Sequence, residues 1–510
     1  MAEQKIAGVI DIGSSAIRIL ISEIADDGSL RPLDRADRPL ALGQDVFSKG
    51  EVTRASLMQT LRILKDFTEL AAGYGLAPED LQVVATSAVR EATNRDNLID
   101  RVKIKTGLNI RIVEGVEENY LTYIAVNHAI RRIRPQFARF NSMIIEVGGG
   151  TTELMFLKRG KIVAAHSLRL GTIRLEKKAQ ADLSGQMDDY IRENMRINLE
   201  LLGTELPLER VRFFVAVGGD VRMAASVIAD AQRHDQFSII QRSDFEEFVD
   251  QIRGFSMEKI VRTFGISYND AEGLVPALLV CRHFLQETAA ESLIIPNVSL
   301  REGVLMSILA GKNSAAEQQF ARQVRASAES LGRKYHYDED HARQVTFLAL
   351  ELFDQLQEEH GLGNQARMLL EVAGILHDIG NFVRSSGHHK HGQYLVANSE
   401  IFGLSRQDIR VVSNVVRYHR KSLPSNSHSS YTSLRGNQRM LVQKLAAILR
   451  VADGLDRGHA CRVTGVSVEL REQDIILHCK STSEISAEKG AAKGKADLFQ
   501  AVFGYRLLIK

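Results

Sequence analysis

Two short segments of the chain, 135 positions apart, carry the same arrangement of acidic, glycine and hydroxyl residues. Asp11 is followed by small residues at 13–15, and Glu146 is followed by glycines and threonines at 148–152. Each segment separates two apolar runs, which predicts a strand, a tight turn and a second strand. Glycines let backbone N–H groups approach an anion, hydroxyl groups add donors, and the carboxylate can hold a metal ion or orient water. We therefore expect two facing hairpins that bind a phosphate chain.

The elements that must position these hairpins are typical of two α/β lobes followed by a helical region. In the first lobe we expect strands at 6–12, 16–24, 81–86 and 108–113, and helices at about 53–73, 94–105 and 117–130. The second lobe, from about residue 140, adds a helical stretch near 186–203 and a strand that ends in Gly218-Gly219. Further on we expect helices near 315–334, 338–358, 364–378, 390–398, 405–419 and 437–456, strand alternation after Cys461, and a mobile loop at 480–495.

Composition limits the classes of partner and compartment. The 510-residue chain has 65 basic and 63 acidic residues, so no strong field indicates a specific nucleic-acid partner. Its three cysteines lack a CxxC spacing, which favours a reducing compartment and no structural zinc site. Apolar runs are too short for a signal peptide or a membrane span, so we expect a cytoplasmic protein without a membrane partner. Eleven of the fifteen histidines lie from His336 onward, which indicates different chemistry there.

The motifs occur in the order found in one family. The chain resembles the exopolyphosphatase / guanosine pentaphosphate phosphatase (Ppx/GppA) family in the first hairpin, at residues 86–94, at Glu117-Glu118, and at residues 148–153, 218–219 and 300–305. The resemblance covers essentially the full length and includes the C-terminal region of the long family members. It implies an α/β fold of duplicated actin-like (ribonuclease H-like) lobes at 1–135 and 136–312, an all-α HD-like domain at 313–460 and a small α+β domain at 461–510.

The same resemblance implies an exopolyphosphatase that removes terminal orthophosphate from inorganic polyphosphate in the cleft between the lobes. Glu118 matches the position of the family's catalytic glutamate and would be the general base for the attacking water. Glu146 and Glu153 would bind Mg²⁺ through few direct contacts. Guanidinium forks match phosphate oxygens bidentately, and loop amides would hold the same group. The phosphate-binding residues would be Asp11, Gly13, Ser14, Ser15, Arg18, Ser87, Arg90, Gly148, Gly149, Gly150, Thr151, Gly218, Gly219 and Arg301.

Four positions depart from the family pattern. Ser15 and Ala16 stand where the first loop usually has Asn and Ser, so a hydroxyl donor is lost. Glu146 stands in place of Asp and moves the carboxylate by about a bond length, and displacements near 1 Å can lower a rate on the order of 100-fold. Asn119 stands where a small residue is usual. We expect these changes to affect rate, metal geometry or substrate choice, and not the fold.

A second set of metal-ligand residues lies in the helical region. Residues 376–380 contain a His-Asp pair and resemble the signature of HD-type metal phosphohydrolases. Imidazole and carboxylate ligands suit Mn, Fe or Zn. The implied ligands are His341, His377, Asp378 and Asp453 for one ion, and His391 and His419, with Asp378 shared, for a second.

Several alternatives stay open from sequence alone. Guanosine pentaphosphate also presents a terminal phosphate, so a guanosine pentaphosphate phosphatase fits the same cleft. The lobes could instead sense a phosphate or nucleotide while the helical domain hydrolyses, or that domain could bind the distal polyphosphate chain and form a homodimer. Arg18 could face solvent on an edge strand, and Glu118 could merely stabilise a helix N-terminus. A sugar or acetate kinase has less support, because the segments near Thr86 and Arg301 are not kinase motifs.

Overall fold

The structure is a computed structural model that describes residues 5–25, 30–181, 189–194, 196, 208–310, 314–481 and 483–510. Contacts divide the chain into two compact units, Met1–Gln319 and Phe320–Lys510, here called unit 1 and unit 2. Unit 1 is mixed α/β and unit 2 is mostly helical, as the sequence predicts. The division into four domains and the HD-like assignment stay predictions. Most of the helix predicted at 186–203 lies outside the described residues.

Unit 1 begins with a five-stranded sheet: β1 (Lys5–Ile12), β2 (Ala16–Ile24), β3 (Leu30–Pro39), β4 (Leu81–Ala85) and β5 (Ile110–Ile112). The order is β3-β2-β1-β4-β5, with β1 to β3 antiparallel and β1, β4 and β5 parallel. Branched apolar residues of β1 and β2, which favour strands, fill the core beside it. The helices are α1 (Leu42–Lys49), α2 (Arg54–Ala72), α3 (Ser87–Glu91), α4 (Arg95–Thr106), α5 (Gly115–Ala129) and α6 (Arg134–Phe137), with a 3₁₀ turn at Pro78–Asp80.

A seven-stranded sheet follows: β6 (Asn141–Val147), β7 (Thr152–Lys158), β8 (Lys161–Leu168), β9 (Val211–Val217), β10 (Gln232–Arg233), β11 (Phe237–Gln241) and β12 (Ser292–Pro296). Its order is β10-β11-β12-β9-β6-β7-β8. The helices here are α7 (Thr172–Ala181), α8 (Gly219–Val227), α9 (Arg242–Ile252), α10 (Met257–Phe264), α11 (Tyr268–Gln286) and α12 (Leu300–Ala310), with a 3₁₀ turn at Leu208–Arg210.

The two sheets share one topology. In each sheet an antiparallel meander of three strands is extended, beside its first strand, by two parallel strands: β4 and β5 in the first sheet, β9 and β12 in the second. The hairpins β1–β2 and β6–β7 therefore occupy equivalent places, as the repeated motif predicts. β2 lies between β1 and β3, so the alternative that places Arg18 on an edge strand is wrong.

Helix α12, at the end of the second lobe's sequence, returns to the first lobe. Its Leu300 and Val304 share a buried cluster with Val9 of β1 and Leu121 of α5. The two helices approach so closely that a Cβ on Gly303 would lie 2.2 Å from the carbonyl oxygen of Leu121. Only glycine fits this contact, which fixes α5 against α12.

Unit 2 is a helical bundle that α13 (Ser314–Lys334) enters from unit 1. Its other helices are α14 (Glu339–Gln355), α15 (Gln357–His360), α16 (Asn364–Leu376), α17 (His388–Ala397), α18 (Arg406–Tyr418), α19 (Ser429–Thr432), α20 (Gly436–Leu455), α21 (Ser486–Gly494) and α22 (Asp497–Phe503), with a 3₁₀ helix at Ile379–Phe382. Strands β13 (Val463–Leu470), β14 (Asp474–Ser481) and β15 (Arg506–Ile509) form a small sheet.

The C-terminal segment packs into the same core as the helices of unit 2. Val463, Ile475 and Phe499 belong to one buried cluster with Leu445 and Val451 of α20. The mobile loop expected at 480–495 is wrong, because most of it is helix α21. That helix packs so tightly on α20 that a Cβ on Gly454 would lie 2.5 Å from the Cα of Ala492. Within the described residues, no helix has both the length and the apolar character needed to cross a bilayer.

Candidate active-site cleft

Both predicted hairpins are present and close with the same backbone hydrogen bond. The amide of Gly13 donates to the carbonyl of Ala16 at 3.0 Å, and the amide of Gly148 donates to the carbonyl of Thr151 at 2.8 Å. Each loop is also held through its carbonyl groups. The Ser14 carbonyl accepts from an amide at the start of α1 at 2.8 Å, and the Gly148 carbonyl accepts from one at the start of α7 at 3.0 Å. Because these carbonyls are occupied, the loops are suited to offer amides to an anion.

The loops of the two lobes lie against each other. A Cβ on Gly149 would lie 3.0 Å from the Cβ of Ser14, and one on Gly150 would lie 2.6 Å from the hydroxyl of Ser87. The hydroxyls of Ser14 and Ser87 are 3.1 Å apart. The two hairpin loops and the start of α3 therefore meet at one place.

The strands beside the loops place unlike residues at equivalent positions. Asp11 lies opposite Arg18 across the first hairpin, whereas Glu146 lies opposite Glu153 across the second. The first lobe thus contributes one carboxylate and one arginine, and the second lobe contributes two carboxylates. The cleft therefore carries both carboxylates and a guanidinium group from these strands.

Helix α5 orients the two glutamates of the second hairpin. Thr122 Oγ1 donates to Glu146 Oε2 at 2.7 Å, and Asn119 Nδ2 donates to Glu153 Oε2 at 3.0 Å. Ser167 donates to the other oxygen of Glu153 at 2.6 Å. Two of the departures from the family pattern, Asn119 and Glu146, therefore have hydrogen-bond partners on facing elements.

Glu118 lies in the first turn of α5, beside these carboxylates. Its Oε2 is 3.5 Å from Arg90 Nη1, which also donates to the Val113 carbonyl at 2.6 Å. The same Oε2 is buried and has no hydrogen-bond partner among the described residues. Burial, and then the nearby carboxylate of Glu153, raise the pKa of Glu118 well above its usual range. Glu118 is thus a constrained carboxylate facing the loops.

Burial also shifts the other carboxylates of this cleft. It raises the pKa of Asp11 and of Glu146, and it raises the pKa of Glu153 to about 7. Asp11 Oδ1 is buried without a hydrogen-bond partner among the described residues. Burying several carboxylates together is costly unless a positive charge compensates them.

Three arginines also line the cleft. Arg18 and Arg301 both pair with Asp37 of β3, at 3.3 and 3.2 Å. Arg222 of α8 donates to the Val298 carbonyl at 2.8 Å and lines the same cleft. The sequence analysis missed Arg222 and Asp37. The available signal for Arg222 was its place three residues after the glycine pair at 218–219, where a helix follows a strand.

These residues line one cleft of about 400 Å³. Two predicted residues do not line it: Arg90, which contacts Glu118, and Gly150, which lies against Ser87. The predicted residues that do line it are Asp11, Gly13, Ser14, Ser15, Arg18, Ser87, Glu118, Glu146, Gly148, Gly149, Thr151, Glu153, Gly218, Gly219 and Arg301.

The predicted ligands in unit 2 also come together, with one exception. His341, His377 and Asp453 form one group whose ligand atoms lie within 4.8 Å of one another, and Asp378 and His419 belong to a second. The third member of the second group is His388, not the predicted His391, which lies outside the groups found among the described residues. The backbone explains this correction, because α17 begins at residue 388 and His388 Nδ1 is bonded to the Ser385 carbonyl at 3.0 Å.

Comparisons with known proteins agree with the two-unit organisation. A model of the Ppx/GppA phosphatase family matches residues 20–312, and one of Ppx/GppA phosphatase, domain III, matches residues 324–491. Proteins of Aeromonas hydrophila and Aeromonas salmonicida named guanosine-5'-triphosphate,3'-diphosphate pyrophosphatase are each 22% identical over 463 residues, which span 89% of this chain and 88% of theirs.

Solved structures share the fold over about 60% of the chain. An exopolyphosphatase from Cytophaga hutchinsonii superposes with a TM-score of 0.55 at 22% identity and covers 60% of this chain and 98% of that one. A Ppx/GppA family member from Aquifex aeolicus superposes with a TM-score of 0.50 at 23% identity and covers 61% and 99%. Since one family model alone spans more than half of the sequence, the chain belongs to the Ppx/GppA phosphatase family.

Proposed function

We propose that this chain is an exopolyphosphatase that hydrolyses the terminal orthophosphate of inorganic polyphosphate in the cleft of unit 1. The observation that carries the proposal is the position of Glu118. It lines one cleft together with the loops of both hairpins and with Arg18, Arg222 and Arg301. Membership of a phosphatase family supports the hydrolase class.

The terminal phosphate would lie between the two hairpin loops. Their backbone amides and the hydroxyl of Ser14 would hold its oxygens, and the arginines that line the cleft would neutralise its charge. Glu118 would accept a proton from the attacking water, and Arg90 would hold the Glu118 carboxylate in place. Asn119 and Thr122 would keep the neighbouring carboxylates from rotating into the water position.

The carboxylates of the cleft also suit a hard divalent cation. Asp11, Glu146 and Glu153 are buried or partly buried carboxylates with raised pKa values, and Asp11 keeps an oxygen without a hydrogen-bond partner among the described residues. We propose that Glu146 and Glu153 hold Mg²⁺, with Asp11 nearby. When bound, Mg²⁺ would neutralise charge on the phosphate oxygens.

The replacement Glu118→Gln tests the proposal. It keeps the shape of the side chain and removes the base, so phosphate release from long polyphosphate should fall on the order of 10²–10⁴-fold. Glu117→Gln is the matched control, because Glu117 pairs with Arg111 outside the cleft lining and its loss should leave turnover near wild type. Wild-type turnover by Glu118→Gln would reject the assignment.

A second candidate substrate is guanosine pentaphosphate. It is favoured by the full-length Aeromonas relatives, whose name describes a guanosine-5'-triphosphate,3'-diphosphate pyrophosphatase. Both substrates present a terminal phosphate to the same loops, so parallel turnover assays must decide between them.

If phosphate release survives Glu118→Gln but is lost in Asp378→Ala, hydrolysis takes place in unit 2 and the cleft is a sensor. A homodimer and a cytoplasmic location stay predictions.

A further inference from the structure

Helix α7 holds the second hairpin loop through three consecutive carbonyl groups. The amides of Thr172 and Ile173 donate to the first two carbonyls of the run at residues 148–150, each at 3.0 Å. The next residue of the helix continues this series with its side chain, because Nε of Arg174 donates to the carbonyl of Gly150 at 2.8 Å. Three successive loop carbonyls therefore point at the start of one helix.

The direction of these carbonyls sets the direction of the loop amides. The loop peptides are trans, so the N–H of each following residue points opposite to the carbonyl oxygen. The amides of Gly149, Gly150 and Thr151 consequently point away from α7, and no acceptor for them lies among the residues that the structure describes. Successive amides of this kind form a concave nest for an anion. The contact made by Arg174 orients the third of them, that of Thr151.

The guanidinium of Arg174 also contacts elements that belong to the first lobe. Its Nη2 donates to Glu91 Oε2 at 2.7 Å, at the end of the short helix α3 that begins with Ser87. Its Cζ lies 4.0 Å from the centre of the Phe47 ring. Phe47 is part of α1, the helix whose start is bonded to the first hairpin loop. One side chain thus joins the second hairpin loop to α1 and to α3.

Glycines leave the space that this arrangement needs. A Cβ on Gly150 would lie 2.4 Å from the ring of Phe47, and one on Gly171, just before α7, would lie 2.4 Å from the carbonyl oxygen of Gly149. The loop backbone therefore packs directly against both α1 and the start of α7, with no room for a side chain at either glycine.

Arg174 acts from outside the cleft. It is not among the described residues that line the cleft, and its side chain is 23% exposed. Donation from a cation to the Gly150 carbonyl polarises that peptide unit, and polarisation makes the Thr151 amide a stronger donor. The guanidinium can therefore strengthen the binding of an anion that it does not touch.

We propose that Arg174 is a positioning residue for phosphate in the cleft. It directs and polarises the Thr151 amide, and it holds the second hairpin loop against α1 and α3. The inference rests on the proposed function, since the group that this amide would bind is the transferred phosphate. Arg174 lies outside the segments that resemble the family motifs.

A second arginine beside the same carboxylate provides the matched control. Arg169 lies 4.0 Å from Glu91 Oε2, and its side chain is 77% exposed. Among the described residues it makes no hydrogen bond to the loop at 148–151. Replacing Arg169 therefore removes a cation near Glu91 and leaves the Gly150 carbonyl with its donor.

The test compares Arg174→Lys with Arg169→Lys in the full-length protein. Lysine keeps the charge and the apolar stem, but its single ammonium group cannot make the three contacts of the guanidinium. We expect kcat for phosphate release from long polyphosphate to fall on the order of 10- to 100-fold in Arg174→Lys. It should stay within about twofold of wild type in Arg169→Lys. The dissociation constant of orthovanadate, a mimic of the five-coordinate transition state, should rise by the factor by which kcat/KM falls.

This correspondence separates positioning from a loss of folded protein. Misfolding lowers the fraction of active molecules and leaves the affinity of the remaining ones unchanged. A lower kcat with unchanged orthovanadate affinity in Arg174→Lys would therefore overturn the proposal, and so would equal effects in the two variants.

Failure of the function proposed for the cleft gives a different result. A wild type that releases no phosphate from polyphosphate rejects that function, while orthovanadate affinities measured by calorimetry still decide the role of Arg174. Weaker binding in Arg174→Lys than in Arg169→Lys would then support the positioning role. A wild type that binds no orthovanadate would overturn it.

Discussion

At the scale of single residues, Asp37 competes with the proposed ligand for the same cations. Its side chain is 61% exposed and pairs with Arg18 and Arg301, both of which face the cleft. Because the carboxylate of Asp37 is open to solvent, although Arg301 is buried, each pair contributes about 0.2–1 kcal/mol, which is too little to hold the arginines rigidly. If the cleft binds phosphate as proposed, Asp37 would act as a weak internal competitor of it.

The replacement Asp37→Asn removes this competing charge. The inhibition constant of inorganic phosphate should fall roughly threefold to tenfold, because two pairs of about 0.5 kcal/mol each no longer have to be broken. Asp34→Asn, on the same strand but bonded to Tyr74, is the control. Weaker phosphate inhibition in Asp37→Asn would mean that Asp37 positions the arginines instead.

Glu176 gives a pH dependence of stability that can be measured. Burial, and then Glu272 and Asp220, raise the pKa of Glu176 to about 8 from an ordinary value of 4.5. The folded state therefore prefers the protonated form, and this stabilisation is complete below pH 4.5 and is lost as the pH rises through 8. Glu176→Gln should gain stability over wild type between pH 5 and pH 9, by on the order of 2 kcal/mol. Urea unfolding of wild type and variant at pH 5 and at pH 9 measures this gain in unfolding free energy. The exposed Glu69→Gln is the control. An equal change in unfolding free energy for both variants would contradict the prediction.

At the scale of elements, helix α5 organises the carboxylates of the cleft. Glu118, Asn119 and Thr122 project from little more than one turn of α5 and contact three different partners. The position of α5 depends in turn on α12, through the contact between Gly303 and Leu121. The signature at 300–305 therefore serves both the arginines of the cleft, through Arg301, and its carboxylates, through this helix contact.

The replacement Gly303→Ala tests that dependence. An added methyl 2.2 Å from a backbone oxygen must separate the helices, so we expect a loss of about 1–3 kcal/mol in unfolding free energy. Turnover should fall by a larger fraction of its wild-type value than the unfolding free energy does. Gly254→Ala, where a Cβ meets no atom within 4 Å, is the control. If Gly303→Ala unfolds like wild type in a denaturant titration, the close approach of the two helices is wrong.

At the scale of the whole molecule, the two units have separate hydrophobic cores. Among the residues that the structure describes, the buried cluster of unit 2 shares no member with the clusters that stabilise unit 1. We expect calorimetric unfolding in more than one transition, with Gly303→Ala lowering only one of them. A single transition in which the calorimetric and van't Hoff enthalpies agree, shifted as a whole by the replacement, would contradict this.

The sequence by itself determined the two hairpins, the order of the motifs and the change from mixed to helical structure. These features depend on local periodicity and turn chemistry, which a linear chain displays directly. The resemblance of residues 376–380 to HD-type metal phosphohydrolases also brought His341, His377, Asp378, His419 and Asp453 into one set.

Only the tertiary structure decided which partners meet. His388 and His391 are three residues apart and share one helix face, so spacing cannot choose between them; the start of α17 and the Ser385 carbonyl do. Arg222 and Asp37 join the cleft through contacts between elements distant in sequence, and Asn119 is explained only once Glu153 lies beside it. The physical reason is that a hydrogen bond or ion pair forms only when the distance between its two atoms is correct to within a few tenths of an ångström. Packing between elements sets that distance, and local sequence does not.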